Sequence, residues 1–261
     1  MIAKRWCAGL LCAAIAWTQP SNQLLIAHVA FRVADLEEAR SFYRKLGFEQ
    51  FFEMKQGERT TEAFLKINDL QFLELYPRSD PSQPLGLMHV CYESNDLEAL
   101  HGAYVTRGLK VSDVRKAGAG NLLMTMKDPE GQTIEFTQYM AGSRHYEDRG
   151  KHLGANRVSQ VLIGATATAE DVAATRAFYV GKLGFSELAG SALRIPGDSR
   201  QELDIAASDS SMKAGIRFGA IDLKQTAAVL AALGLQARSG PAAITVSDPD
   251  GNVISFRNWK D

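Results

Sequence analysis

The spacing of apolar positions along this chain changes from about two residues to about three and a half and back again, and each change marks an element. Residues 26–33 predict a strand. Leu36, Ala39, Phe42, Tyr43 and Leu46 then recur at helical spacing, with Asp35 placed to cap the helix and Gly47 to stop it. Strand patterns follow over 48–54, 60–67 and 70–76. The same order returns with a strand over 87–92, a helix over 96–106 stopped by Gly108, and strands over 110–114, 122–126 and 133–138. Each copy predicts a βαβββ module.

A turn makes the repetition wider. In Asp128-Pro129-Glu130-Gly131, proline presets one backbone angle and glycine accepts a positive φ, so the chain reverses straight into the last strand. The turn reappears as Asp248-Pro249-Asp250-Gly251, and Phe178-Tyr179 and Leu183-Gly184-Phe185 echo Phe42-Tyr43 and Leu46-Gly47-Phe48. The expected architecture is therefore α+β, with four βαβββ modules in two domains. Residues 24–140 and 157–261 form the domains, and 141–156, rich in glycine and charge, form the linker.

The first pair of modules also repeats its chemistry. At an offset of 61 positions His28 falls on His89, Glu74 on Glu135, Asp35 on Asp96 and Tyr43 on Tyr104, while most of the intervening sequence differs. Two imidazoles and two carboxylates in one register predict a single divalent metal site shared between the copies. A lone strand histidine usually finds one hydrogen bond, and a lone strand glutamate usually faces water. It is the shared register that makes ligands of these four. Strand alternation puts Ala30 and Arg32 on the face of His28, Phe72 and Tyr76 with Glu74, Leu87 and Cys91 with His89, and Thr133 and Thr137 with Glu135. Arg32, Tyr76 and Cys91 are thus candidate substrate-binding residues, Arg32 as a clamp for a substrate carboxylate.

Composition narrows the partners. The 261 residues are 46% hydrophobic and 23% charged with a formal net charge of -1, which gives no basic field to attract nucleic acid. Small molecules are the expected partners. Lys4 and Arg5 precede an apolar run over 6–17 with Ala14-Ile15-Ala16 as a cleavage pattern, so residues 1–23 read as a leader and the mature protein as exported, periplasmic or extracellular. The run is too short for a comfortable membrane span. Cleavage near Ala16 removes Cys7 and Cys12 and leaves Cys91 without an intramolecular disulfide partner. The oligomeric state, monomer or homodimer, is not encoded in these patterns.

His28-Val-Ala-Phe-Arg, Phe42-Tyr43, Leu46-Gly47-Phe48, Phe72-Leu-Glu74-Leu, His89-Val and Asp128-Pro-Glu-Gly-Gln-Thr-Ile-Glu135-Phe together resemble the vicinal oxygen chelate superfamily, which spans glyoxalases, extradiol dioxygenases and bleomycin-binding proteins. The resemblance implies cupped mixed sheets, metal positions at His28, His89 and Glu135, and a fourth at Glu74, where glyoxalase-like members place a carboxylate. It also implies a metal-dependent lyase or isomerase acting on a small oxygen-chelating substrate through an enolate or oxyanion, with Glu74 as ligand and candidate base. The metal is Zn, Ni, Co, Mn or Fe(II). An Fe(II) dioxygenase and a non-enzymatic binding or resistance protein stay open. His101, His145 and His152 are expected at the surface. In the second domain Gln160, Arg217, Ser255 and Asp204 are expected opposite His28, His89, Glu135 and Glu74, so that domain is expected to lack a metal site, with an Arg217–Asp204 ion pair in its place.

Overall fold

The computed structural model describes residues 23–197, 200–208 and 214–259. Apart from Gln23, the expected leader lies outside them. The first half runs β1 (Leu25–Val33), α1 (Leu36–Lys45), β2 (Gln50–Gln56), β3 (Arg59–Lys66), β4 (Phe72–Pro77), β5 (Gly86–Glu93), α2 (Leu97–Thr106), β6 (Arg115–Lys116), β7 (Leu122–Lys127) and β8 (Thr133–Gln138). A short helix, α3 (Arg144–Glu147), precedes the second half. That half runs β9 (Leu162–Ala169), α4 (Val172–Phe178) with a π-helical last turn, β10 (Ser186–Glu187), β11 (Ala192–Arg194), β12 (Glu202–Ala207), β13 (Gly215–Ala220), α5 (Leu223–Ala232), β14 (Arg238–Ser239), β15 (Ala243–Ser247) and β16 (Val253–Asn258).

These are four βαβββ modules in two eight-stranded mixed sheets, ordered β2-β3-β4-β1-β5-β8-β7-β6 and β10-β11-β12-β9-β13-β16-β15-β14. In each sheet the first strands of the two modules meet antiparallel at the centre, and each pairs parallel with the last strand of its own module. The local reason is repeated four times. Asp35, Asp96, Asp171 and Asp222 each cap the helix after the first strand by accepting from backbone N–H groups of its first turn, a cap worth about 1 kcal/mol. Gly47 ends α1 at φ +86, and a Cβ there would stand 2.6 Å from the Arg157 backbone, so only glycine fits.

The strand expected over 110–114 is displaced. Val111 makes one isolated bridge to Met126, and the strand proper is β6. Ser112 is the cause, because its side-chain Oγ, not a backbone carbonyl, accepts from the Thr125 N–H at 2.9 Å. The segment 141–156 is anchored too: Lys66 Nζ, buried in β3, reaches Asp148 Oδ2 and Asp69 Oδ1, each at 2.9 Å, and Asp148 Oδ1 meets His152 Nδ1 at 2.7 Å.

One contiguous core runs through both halves, with Phe48 against Phe218 at 5.0 Å and Tyr92 against Phe185 at 5.7 Å. The Asp-Pro turns have a second use in this packing. The Tyr43 hydroxyl donates to Asp248 Oδ2 at 3.1 Å, and the Ala34 N–H donates to the Asp250 carboxylate at 3.2 Å. Reciprocally, Glu130 accepts from the Glu170 and Asp171 N–H groups, each at 3.0 Å. Each turn therefore clasps the first helix of the other half or its cap.

Candidate metal centre

His28 on β1, Glu74 on β4, His89 on β5 and Glu135 on β8 come from four strands that are neighbours at the centre of the first sheet. Their side chains converge. The two Nε2 atoms stand 3.1 Å apart, and His28 Nε2 lies 3.3 Å from both Glu74 Oε1 and Glu135 Oε1. His89 Nε2 lies 3.4 Å from Glu74 Oε2 and 3.9 Å from Glu135 Oε2. A divalent ion bound at about 2.1 Å holds neighbouring ligand atoms about 3.0 to 3.4 Å apart, so these separations have the size of the edges of one coordination polyhedron. The donor types and the spacing both fit a metal.

His28, Glu74 and His89 are 3%, 5% and 7% exposed, which places ionisable groups where desolvation is costly. Burial pushes Glu135 up, but His28 and His89 outweigh it and hold the carboxyl at about 2. Burial pulls His89 down, and Glu74, Glu135 and Glu62 more than reverse this.

Glu62 is a third carboxylate that the sequence did not announce. The Tyr76 hydroxyl stands between it and Glu74 Oε2, 3.0 Å from the latter. Burial and the Glu74 charge push Glu62 up to about 8, so its carboxyl is protonated at neutral pH and can complete a chain in which Glu62 donates to Tyr76 and Tyr76 to Glu74. A carboxyl with a raised folded pKa stabilises the fold fully below its unfolded value, and this contribution is lost as pH rises through the folded value. In chelator, the stability of the metal-free protein is therefore expected to fall from about pH 4.5 to about pH 8. Urea unfolding of Glu62→Gln should show a flatter profile over that range, and an unchanged slope would assign the fall to other groups.

Beside these groups lies a cavity of about 240 Å3, walled by Phe64, Phe72, Met54 and Leu123 and reached by Tyr76 and Thr137 as alternation predicts. Two expected substrate contacts are corrected. Arg32 does not line the cavity: β1 keeps its register beside β4, with Arg32 opposite Tyr76, but the Arg32 Nη1 donates to the Pro84 carbonyl at 3.0 Å. Cys91 also lies off the cavity wall, fully buried between His28 and Glu135, and burial pushes its thiol up. His145, expected at the surface, is 8% exposed and lines the cavity. Phe72 lies 4.3 Å from its ring, with Phe52, Phe51 and Tyr139 at 5.3, 5.4 and 5.6 Å, and burial holds it neutral with its pKa at about 3. His101 is half-buried on α2 and His152 is exposed.

The second sheet is the internal contrast. Strand register places Gly164 at the position of His28, Gly215 at that of His89, Asp204 at that of Glu74 and Ser255 at that of Glu135. The expected equivalences of Gln160 and Arg217 are corrected, since Arg217 corresponds to Cys91. The expected pair exists: Arg217 Nη2 contacts Asp204 Oδ2, and its Nη1 lies 3.4 Å from Glu202 Oε2. A Cβ on Gly164 would stand 2.8 Å from Arg217 Nη1, so the guanidinium occupies the space that the first histidine fills in the other sheet.

The sequence profile of the Glyoxalase/Bleomycin resistance protein/Dioxygenase superfamily matches residues 25–136, the segment that carries all four converging side chains. Residues 25–136 thus carry a domain that matches that superfamily. No curated protein sequence matches the chain. Among solved structures, the Mn(II)-bound glyoxalase of Novosphingobium aromaticivorans superposes with a TM-score of 0.69 at 15% identity, covering 91% of this chain and 82% of the other. The 2,3-dioxygenase LapB of a Pseudomonas species gives 0.69 at 14%, covering 90% and 92%. An extradiol ring-cleaving dioxygenase of B. fuscum gives 0.67 at 19%, covering 93% and 74%. At such identities the likeness concerns the fold alone, and it covers both halves.

Proposed function

We propose that the protein is an exported, metal-dependent, glyoxalase-like lyase or isomerase that binds a small substrate through two adjacent oxygens. The observation that carries this reading is the convergence of both glutamates with both imidazoles, with 3.1 to 3.9 Å between donor atoms. His28, His89, Glu135 and Glu74 would hold one divalent ion, drawn from Zn, Ni, Co, Mn or Fe(II). When bound, the ion supplies Lewis-acid stabilisation to the oxyanion that develops on the substrate.

The remaining work falls to side chains. Glu74 is the base that takes a proton from substrate carbon, and its Oε2, already a hydrogen-bond acceptor for Tyr76, is the atom that receives it. Tyr76 donates to this oxygen and is itself held by the Glu62 carboxyl, so the chain orients the base. Phe64 and Phe72 keep water from the reacting carbon.

Glu74→Gln is expected to lower kcat about a hundredfold or more, the usual scale for a positioned base, with metal occupancy reduced much less. Metal analysis beside steady-state kinetics checks this, and parallel losses would make Glu74 a ligand only. The metal in purified protein separates the wider alternatives. Iron with O2 uptake on a catechol indicates the dioxygenase, a metal with isomerase activity supports the lyase or isomerase, and an empty site indicates a binder. Export rests on residues 1–23, and N-terminal sequencing of the secreted form tests it. Among the described residues no helix is long and apolar enough to cross a membrane.

A further inference from the structure

The cavity beside the metal-ligand candidates has an electrically unbalanced far end. Glu62, Glu74 and Glu135 line it, and Arg115 is the single lysine or arginine among its described lining residues. Sheet register fixes where Arg115 stands. Glu135 and Thr137 are two residues apart on one face of β8, Thr137 is paired with Leu123 on β7, and Leu123 with Arg115 on β6. Thr137, Leu123 and Arg115 all line the cavity, so the row points inward. With strands about 4.8 Å apart, the Arg115 backbone lies about 10 Å from that of Thr137. Its side chain can reach back over the cavity mouth.

Arg115 has no partner there. Among the described residues it forms no ion pair within 4.0 Å and no side-chain hydrogen bond, although three carboxylates line the same cavity. A second donor at this end is also unmatched. Asn121, on the turn between β6 and β7, donates its amide to His145 Nδ1 at 2.9 Å, because its Oδ1 accepts from the Met140 N–H at 3.2 Å. That leaves the imidazole hydrogen on Nε2, which is buried and without a partner. Buried donors of this kind are rare in folded proteins and cost about 1–3 kcal/mol if nothing ever meets them.

We propose that the substrate carries a carboxylate beyond its pair of chelating oxygens, separated from them by a short apolar bridge, and that Arg115 receives this carboxylate. The apolar walls formed by Met54, Phe64 and Leu123 accept the bridge. A cavity of about 240 Å3 limits the ligand to a compact metabolite, since drug-sized ligands take about 300 Å3 or more. Arg115 thereby takes the role that sequence alternation gave to Arg32. This inference rests on the metal-centre reading above.

Two hydroxamates test it, since a hydroxamate chelates through adjacent oxygens. Succinic monohydroxamate ends in a carboxylate, and butyrohydroxamate ends at similar length in a methyl group. Calorimetric titration into the full, metal-loaded protein is expected to show about tenfold tighter binding of the carboxylated probe, as one charge-assisted guanidinium–carboxylate contact supplies. In Arg115→Met the preference should shrink to within about twofold while metal content and butyrohydroxamate affinity hold, and Arg115→Lys should restore part of it. Equal binding of the two probes to wild type, or a preference that survives in Arg115→Met, overturns the assignment and leaves the metal centre standing. Failure of both probes to bind metal-loaded protein overturns the chelating site itself and this inference with it.

Discussion

Replacing His28 with alanine is expected to lower the affinity for the bound divalent ion by about a hundred- to a thousandfold, roughly one ligand's share of the 10–16 kcal/mol that a four-ligand site can supply. His28 is the pivotal donor. Its Nε2 is 3.1 Å from His89 and 3.3 Å from each of Glu74 and Glu135, and both candidate ligand triads, His28–Glu74–His89 and His28–Cys91–Glu135, include it. Removing it opens the polyhedron at the centre of the sheet. Competition against a chromophoric chelator measures the loss, with elemental analysis as the stoichiometric check. Because an ion that binds only the folded state stabilises it by RT ln(1 + [L]/Kd), wild type should also gain about 2.7 kcal/mol at a hundredfold excess of metal over Kd. His28→Ala should gain little at the same concentration. A variant that retains one tightly held equivalent would remove the four side chains from the role of ligands.

How much of this was legible in the sequence depended on whether a residue had a twin. His28, Glu74, His89 and Glu135 were visible because each has a counterpart 61 positions away, and strand alternation then placed Tyr76 and Thr137 in the cavity. Glu62 had no such signal. Its counterpart at that offset is Leu123, which lines the same cavity with an apolar side chain, so the repeat register is silent there. The available clue was cross-strand: the β3–β4 register places Phe64 beside Glu74 and hence Glu62 beside Tyr76. His145 lay in a segment with no apolar periodicity, and its burial comes from aromatic side chains on β2, β3 and β4 that are distant in sequence. Arg32 keeps its place in the alternation along β1, but its guanidinium reaches the Pro84 carbonyl, a contact that alternation does not encode. The Asp-Pro turns were legible as turns, while their second role depends on how the halves pack.

In the second sheet, Arg217→Met is expected to destabilise the protein by about 3–5 kcal/mol, the usual cost of removing one member of a buried ion pair. Arg217 is 3% exposed and lies against Asp204, itself 8% exposed, with Glu202 3.4 Å from the other guanidinium nitrogen. Without the guanidinium, Asp204 keeps, among the described residues, the Ser191 Oγ, which donates to it at 2.9 Å, and the space beside Gly164 is left unfilled. The pair is nevertheless expensive. Burial and the Arg257 charge pull Arg217 down to about 10 despite Glu202, so the fold disfavours the very charge that holds these acids. Where desolvation outweighs attraction in this way, an apolar replacement of both partners recovers most of the loss. Arg217→Met combined with Asp204→Leu should therefore return to within about 1 kcal/mol of wild type. Urea unfolding of the two single variants and the double variant measures the coupling. A wild-type midpoint in Arg217→Met alone would mean that the pair holds nothing together. The expected pattern would show that this sheet replaced two imidazoles with glycines and filled the vacated centre with a guanidinium, which is why one half of the molecule is fitted to hold a cation and the other carries its own.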